Sequence, residues 1–505
     1  MTIFKVKYLK NLRVRTSTME KLPVIEVSEE NFVSVLPAIR DAISKASFVA
    51  IDCELSGLGQ RKKINYPEID FRYQYMAEVA RKYAVVSLGL SCFTCKSVSN
   101  LKIENKEGGC GQVLSHDYLV QTFNFITLCS DDFTVECNSF KFLERHGFDF
   151  NKLYAKGLQY YKGCDKEKEE NPNIRHVLSN ILEHRKPVVV HNGLLDLVYL
   201  YQAFYAELPK KSETFAADLS DMFPCGVYDT KYIAEFHQSV PATYLEYLYT
   251  KMQLKNAHRE VSEKWHVRVT FPPYPSNLAN IDWYPYLQIH SYDAKNDDDG
   301  LEVCDTYAYH GWCSKGSECG NSHNINKIVK QLQPKAAKKS SSTGRKYSGP
   351  KTGSLVHIIQ QAARKEEMEN NKRTNEDLEP DRKKNKISSV RSGSMKNGNE
   401  SCQEHNSDSK SSGINNQNSK NAGSHKAGYD AFMTGFIFAS YVAEKGVLST
   451  KNISYTADSL GLSEENNKMY LVGKNIPFLI RTSAYANMST NHMSKIAKIR
   501  NDCTR

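Results

Sequence analysis

The feature that most constrains this chain is an interruption. Apolar runs alternating with turn residues, the pattern of a packed α/β domain, extend over 22–300. They give way over 327–424 to a mixture of Ser, Asn, Lys and Gly. Packed character then returns in AGYDAFMTGFIFASYVAE (Ala427 to Glu444), where Phe432, Gly435, Phe436, Ala439 and Ala443 recur at helical spacing, and in KMYLVG and IPFLI beyond it. A lone apolar helix so far from its domain has nothing to pack against. The polar stretch therefore reads as an insertion, and the segment 425–485 is expected to rejoin the first domain. A Cys-rich segment at 301–326 precedes the linker, and flexible ends are expected at 1–21 and 486–505.

Inside the first domain, strand followed by helix recurs. KASFVAID (Lys45 to Asp52), AVVSLGLSCF (Ala84 to Phe93), YLVQTFNF (Tyr118 to Phe125) and RKPVVVHN (Arg185 to Asn192) read as strands. SVLPAIRDAIS and LLDLVYLYQAFYA read as helices. The linker has almost no aromatics beyond Tyr347 and cannot bury enough surface to offset the entropy of ordering. It is expected to be disordered apart from a helix-compatible stretch around Ser354 to Asn370.

Of the 505 residues, 40% are hydrophobic, enough for a sizeable core, and the formal charge of +10 leans mildly towards nucleic acid or another polyanion. No run approaches the roughly 20 apolar residues of a membrane span, and no secretory signal is evident, so a soluble intracellular chain is expected. Thirteen cysteines, an odd number, do not look like a disulfide framework. The cationic first residues raise a mitochondrial presequence, but the apolar positions from Ile3 to Val14 do not follow a clean helical period.

Asp52 and Glu54 follow the apolar run FVAI. Strand side chains alternate with period two, so both carboxylates project from one face at a strand end, where α/β folds place ligand sites. Two such anions stay ionised cheaply only with a cation between them, and Mg²⁺ is the ordinary candidate for an all-oxygen site. Taken alone the pair also reads as exposed strand-end acids. Asp196 in HNGLLD and Asp430 in HKAGYD each start a helix, where an acid also serves as a cap.

Four acids in the order AIDCE, HNGLLD and HKAGYD, with His425 five residues before the last, resemble the His-bearing branch of the DEDD exonucleases. IDCELSGLG, SFKFLERHGFDFNKLYAKGLQYY, HNGLLDLVYLYQAFY, YDTKY and HKAGYDAFMTG are similar to the deadenylases related to poly(A)-specific ribonuclease and the Caf/Pop nucleases. The resemblance implies a ribonuclease H-like exonuclease fold, a mixed central sheet with flanking helices, interrupted by a zinc finger and a linker. It implies two Mg²⁺ ions held by Asp52, Glu54, Asp196 and Asp430, with His425 accepting the proton of the attacking water. Single-stranded RNA 3′ ends with adenosine tails are the implied substrate. The inserted finger and basic tail are similar to those of one nuclear member of the family, found in Cajal bodies, which extends the expectation to a nuclear location, in the Cajal body or nucleolus, and to precursors of small nuclear and other short noncoding RNAs as substrates.

Beside the acids, Gly57 and Gly59 allow close backbone approach, and Leu55, Ser56 or Leu58 are candidates to touch the terminal nucleotide. A simple turn explains Gly59 equally well. Asp229 in YDTKY is expected to support the site rather than ligate, and His191 and Asn192 either touch a phosphate or bond backbone. Cys92, Cys95, Cys110 and His116 fall in a polar stretch that reads as a variable loop, with zinc binding there the weaker reading.

Cys304, Cys313, Cys319 and His323, with eight, five and three intervening residues, look like a CCCH zinc finger, which closes a tetrahedral Zn²⁺ site. Tyr307, Tyr309, Trp312 and Lys315 beside those ligands suit unpaired bases and phosphate, although small fingers also use aromatics to cover their metal. Arg382 to Lys386, with Lys335, Lys338, Lys339, Arg345 and Lys346, reads as a nuclear import signal or an anion-binding arm. Two rivals remain: a non-catalytic RNA-binding adaptor on a nuclease-like scaffold, and a DNA 3′ exonuclease.

Overall fold

The structure is a computed structural model that describes residues 21–104, 110–163, 172–238, 240–262, 264–274, 280–286, 300–332, 426–446, 448 and 453–502, with backbone alone at 100–104, 110–114, 261, 317 and 502. His425, the stretch Ser354 to Asn370 and the basic clusters of the linker lie outside the described residues.

Eleven strands among the described residues form one mixed sheet. They are β1 (Lys21–Val27), β2 (Phe48–Leu55), β3 (Val85–Glu104), β4 (Cys110–Cys129), β5 (Leu158–Tyr160), β6 (Val188–Val190), β7 (Val227–Asp229), β8 (His266–Thr270), β9 (Ile281–Pro285), β10 (Lys468–Met469) and β11 (Phe478–Leu479). The order is β11-β10-β7-β6-β2-β3-β4-β1-β9, with β5 and β8 paired to β4. β6 runs parallel to β2 and β7, whereas β3 is antiparallel to both β2 and β4.

The helices that matter below are α1 (Phe32–Lys45), α2 (Arg61–Ile64), α3 (Ile69–Lys82), α4 (Arg175–Glu183), α5 (Leu194–Leu200), α6 (Leu245–Val261), α7 (Asp305–His310), α8 (Ile325–Gln331), α9 (Ala427–Lys445) and α10 (Thr490–Asp502). Strand alternation divides the core into two layers. Val49, Ile51, Cys53 and Leu55 of β2 pack with α1, α3 and α4, while Phe48 and Ala50 turn to the other face, against α6 and α9. That parity sends Asp52 and Glu54 towards the α9 face.

The segment after the insertion packs on the same sheet as the elements before it. Every residue of α9 from Ala427 to Ala443 is buried, including Phe432, which meets Phe93 at a ring separation of 5.9 Å, and Phe438, which meets Phe48 at 5.0 Å. A helix apolar on all sides is stable in water only inside a core. The sheet and α6 enclose it.

Four expectations require correction. Within the described residues of the stretch from Ser91 to His116, β3 and β4 run as long antiparallel strands, paired from Ser87 with Ile126 out to Glu104 with Cys110. An antiparallel ladder is closed by backbone hydrogen bonds and needs no apolar pattern, which is why composition hid it. Cys92 lies opposite Gln121, Cys95 opposite Tyr118 and His116 opposite Val98, and among the described side chains no metal-holding group gathers there. The C-terminal stretch after residue 485 is not a flexible end: α10 buries Ile496, Ile499 and His492, whose Nδ1 lies 2.8 Å from the Tyr205 hydroxyl. The boundary set at residue 326 falls inside α8. Finally, the helix expected through Tyr205 changes at Tyr201 to a π turn, Tyr201–Tyr205, whose buried hydroxyls must reach partners such as Asp218.

His116 is fully buried, with both ring nitrogens lacking a hydrogen-bond partner, and burial pushes its imidazole down to about 4 despite the neighbouring Asp117. In the unfolded chain the ring titrates near 6.5, so on acidification the unfolded state takes up the proton first. Stability from this site is complete above pH 6.5 and is lost as pH falls towards the folded value, about 2 kcal/mol of it by pH 5. Urea titrations at pH 7.5 and pH 5 should show that loss, and His116→Leu should flatten it.

Candidate active site and metal centres

Asp52 and Glu54 project from the end of β2 and meet Asp430 from the first turn of α9; carboxylate oxygens of all three lie within 4.8 Å of one another. What permits the meeting is the residue paired with Asp52 on the next strand, Gly89. A Cβ there would stand 1.9 Å from the carbonyl oxygen of Ala427, so α9 docks by its N-terminus directly on the strand backbone. The dock is fixed from both sides: the Gly428 amide donates to Asn124 Oδ1 at 2.9 Å, and the Lys426 ammonium pairs with Asp282 at 2.6 Å.

Asp196 comes from the first turn of α5, just after β6, and its carboxylate stands near enough to Asp52 to repel it. The junction is braced by Asp229. This buried carboxylate accepts from the amides of Asn192 at 2.8 Å, Lys231 at 2.9 Å and Tyr470 at 2.9 Å, and so holds Asn192 in its positive-φ turn at 56°. His191 faces Thr230 Oγ1 at 2.9 Å, and burial together with Lys231 pushes it down to about 3, which keeps it neutral.

Burial, followed by repulsion from Asp430, Asp196 and Glu54, drives the Asp52 carboxyl far above the usual range. Asp196 is pushed up to about 7, by burial first, against the pull of its backbone hydrogen bonds. Asp52, Glu54 and Asp430 form the close group, with Asp196 outside it but near enough to repel Asp52, and carboxylates so gathered are unstable as bare anions. A hard divalent cation relieves the repulsion and finds oxygen donors of the right kind, so the donor set fits such ions.

The loop after Glu54 is organised differently from the sequence expectation. Leu55 is buried in the core, and Ser56 is fully buried, its hydroxyl donating to the Thr134 carbonyl at 2.7 Å and accepting from the Ala84 amide at 2.9 Å. Gly57 is pressed on the Tyr83 ring, and its carbonyl accepts from the Tyr199 hydroxyl at 2.7 Å. These three residues hold the loop, and none presents a free side chain; the exposed apolar group is Leu58, at 49%. Sequence reasoning missed Glu136, whose carboxylate accepts from the amides of Gly59 at 2.8 Å and Leu58 at 3.2 Å. Nothing local in ECNSFKF signals that role.

The second cluster is Cys304, Cys313, Cys319 and His323, whose ligand atoms also lie within 4.8 Å of one another. His323 Nε2 is buried without a hydrogen-bond partner, and backbone amide bonding, led by Lys315, lowers the Cys313 thiol. Three sulfurs and an imidazole nitrogen drawn together in this way fit a tetrahedral zinc ion. Tyr307 is not the exposed stacking group expected of it. Its ring lies on His323 at 4.3 Å and 10°, and its hydroxyl donates to Glu246 at 3.3 Å, which leaves Trp312 and Tyr309, both 48% exposed, as the finger's open aromatic faces.

Acids gathered at strand and helix ends, in a chain that also draws together a Cys3His group, fit a class of protein: a hydrolase that works with divalent cations. The chain belongs to the CAF1 family of ribonucleases, whose profile matches residues 27–173 and 164–438, on both sides of the insertion. It is 26% identical over 156 residues to the poly(A)-specific ribonuclease PARN of Arabidopsis thaliana, covering 30% of this chain and 21% of that protein. It is 23% identical over 165 residues to the poly(A)-specific ribonuclease PNLDC1 of Mus musculus, covering 30% of this chain and 27% of that one. The matched segments thus span less than a third of the length of these relatives. Among solved structures, Pop2p of S. pombe, in a form with Mg²⁺ and Mn²⁺ bound, aligns over 46% of this chain and 84% of its own at 19% identity and a TM-score of 0.34.

Gly89→Ala should push α9 off β3 and separate Asp430 from Asp52. Because the obstacle is backbone, the expected loss is at least the roughly 1–3 kcal/mol typical of overpacking. A lowered melting temperature, together with loss of the thermal stabilisation expected of the wild-type chain on adding Mg²⁺, would register both effects.

Proposed function

We propose that this chain is a 3′-to-5′ exoribonuclease that removes adenosines from RNA 3′ ends and releases 5′-AMP. The observation that carries the reading is the convergence of Asp52, Glu54 and Asp430, from segments separated by the whole insertion, with Asp196 beside them. Membership of the CAF1 ribonucleases and the names of the poly(A)-specific relatives support the substrate.

Asp52, Glu54, Asp196 and Asp430 would hold two Mg²⁺ ions, which when bound acidify water and offset charge on a phosphodiester. The chain's own contributions are legible in its residues. The four carboxylates fix the site, Asp229 braces the turn that presents Asp196, and Glu136 holds the loop that exposes Leu58 towards solvent. His425, outside the described residues, is proposed to accept the proton of the attacking water, as imidazole titrates near neutrality. The Cys3His group would hold one Zn²⁺ and stabilise the finger.

Nuclear location, with precursors of small nuclear and other short noncoding RNAs as substrates, is part of the proposal. The basic cluster at Arg382 to Lys386 supports import. No helix among the described residues is long and apolar enough to cross a membrane. An adaptor without catalysis would be expected to have lost an acid, and all four are present.

Labelled oligoadenylate, mixed-sequence RNA and DNA, each incubated with the full chain with and without EDTA, distinguish the readings. Stepwise shortening of oligoadenylate that EDTA stops is expected; preference for DNA, or no shortening of any substrate, refutes the proposal. Asp52→Ala should abolish trimming, by a factor of 10³ or so on the scale of losing a principal electrostatic group, while circular dichroism stays unchanged. Cys313→Ser should lower zinc content by one equivalent and weaken RNA affinity, leaving trimming of the shortest substrates in place.

A further inference from the structure

The finger is not a module on a free tether. Gly311, in the left-handed region at φ 72°, lies so close to Tyr244 that a Cβ would stand 2.6 Å from its ring. Tyr307 packs edge-on to Tyr244 at 6.2 Å and bonds Glu246, and Ile325 and Ile328 of α8 share a core cluster with Tyr247 and Leu248 of α6. The finger is therefore a fixed part of the nuclease body, and its orientation carries information.

That orientation brings Trp312 beside α2. The guanidinium of Arg61 lies over the Trp312 ring at 5.8 Å from its centroid, although half of the Trp312 surface remains open to solvent. Arg61 and Lys62 are exposed, and Lys63, partly covered, rests on the Tyr75 ring at 5.4 Å. α2 follows directly on the loop that leaves Glu54, and that loop is held by Glu136, by Tyr199 and by Tyr75, whose hydroxyl accepts from the Gln60 amide at 2.8 Å. The seven residue steps from Glu54 to Arg61 span at most about 25 Å. Leu58, Arg61 and Lys62 are thus exposed on the short stretch of chain that leaves the acids, and Arg61 at its far end touches Trp312, with Tyr309 exposed on the same finger.

Resting on the nuclease reading above, we propose that α2 and the finger form one composite track for single-stranded RNA, in which Trp312 stacks on a base and Arg61 meets the adjoining phosphate. A base stacks on an aromatic face with little demand on its identity, and a guanidinium binds phosphate through paired donors. The track begins beyond the nucleotides that occupy the acidic site. Affinity therefore rises steeply once an RNA is long enough to reach Trp312, and the enzyme distinguishes a tail on a long RNA from a free short oligonucleotide.

The experiment is fluorescence anisotropy with the full chain in EDTA, on 5′-labelled oligoadenylates from two to twenty nucleotides, for wild type, Trp312→Ala, Trp312→Phe, Arg61→Ala and the double alanine variant. Wild type should bind long RNA far better than dinucleotide. Trp312→Ala should lose roughly tenfold on the long RNAs and nothing on the dinucleotide, and Trp312→Phe should restore most of that loss. Arg61→Ala, which leaves the finger's own residues untouched, should also weaken long RNA only and reduce the salt dependence by about one phosphate contact. The double variant should lose less than the product of the two, because the side chains are in contact. Zinc content equal to wild type shows that the Trp312 variants keep a folded finger; if Trp312→Ala lost zinc, the Trp312→Phe and Arg61→Ala results would decide. Losses equal at all lengths, or no loss in Arg61→Ala and Trp312→Phe with Trp312→Ala also unchanged, overturn the track and leave the patch to a protein partner. Failure of the wild-type chain to bind or trim any RNA would instead overturn the nuclease reading itself.

Discussion

A backbone contact between two segments distant in the chain governs this molecule. The carbonyl of Ala427 rests where Gly89 has no side chain, and that close approach seats α9 on the strand beside Asp52. Everything at the acidic site follows from the seating. Asp430 reaches Asp52 and Glu54 only because α9 lies on that face of β2, and α9 lies there because it is apolar all round and must be enclosed. The hydrophobic burial of α9 thus drives together carboxylates that repel each other. Burial first, and then repulsion from Asp430, Asp196 and Glu54, lifts Asp52, while burial lifts Asp196, and the gathered carboxylates create the demand for cations.

The support around the acids is built from groups that bond backbone rather than substrate, Asp229 and Ser56 fully buried and Glu136 partly so. Asp229 gathers amides from three separate segments, Glu136 gathers two from the loop after β2, and Ser56 joins Ala84 to Thr134. Such groups hold a site in one geometry because each buried amide left unbonded would cost free energy comparable to a lost hydrogen bond. The finger is integrated by the same economy of contact, through Gly311 on Tyr244 and through α8 on α6.

The sequence was informative where the physics is local or periodic. Alternation at β2 placed Asp52 and Glu54 on one face, the ligand spacing of Cys304, Cys313, Cys319 and His323 drew the second cluster, and the helical period of α9 marked it as a core element. It was uninformative where the deciding contact is between distant residues. Ser56 and Tyr307 looked available to a ligand and are occupied by partners far along the chain, Thr134 and Glu246. The extension of β3 and β4 and the packing of α10 were also invisible, since ladder pairing leaves no side-chain pattern and α10 carries only a few apolar anchors, among them Ile496 and Ile499.

By itself, then, the sequence determined the chemistry: which carboxylates, thiols and imidazoles are present, on which strand face or helix turn each stands, and that α9 must be buried. Tertiary structure alone decided which of these groups meet, because convergence depends on close approaches such as Gly89 with Ala427 and Gly311 with Tyr244. Glycine at either position is compatible with many local conformations. Only the segment that arrives from elsewhere reveals why nothing larger fits.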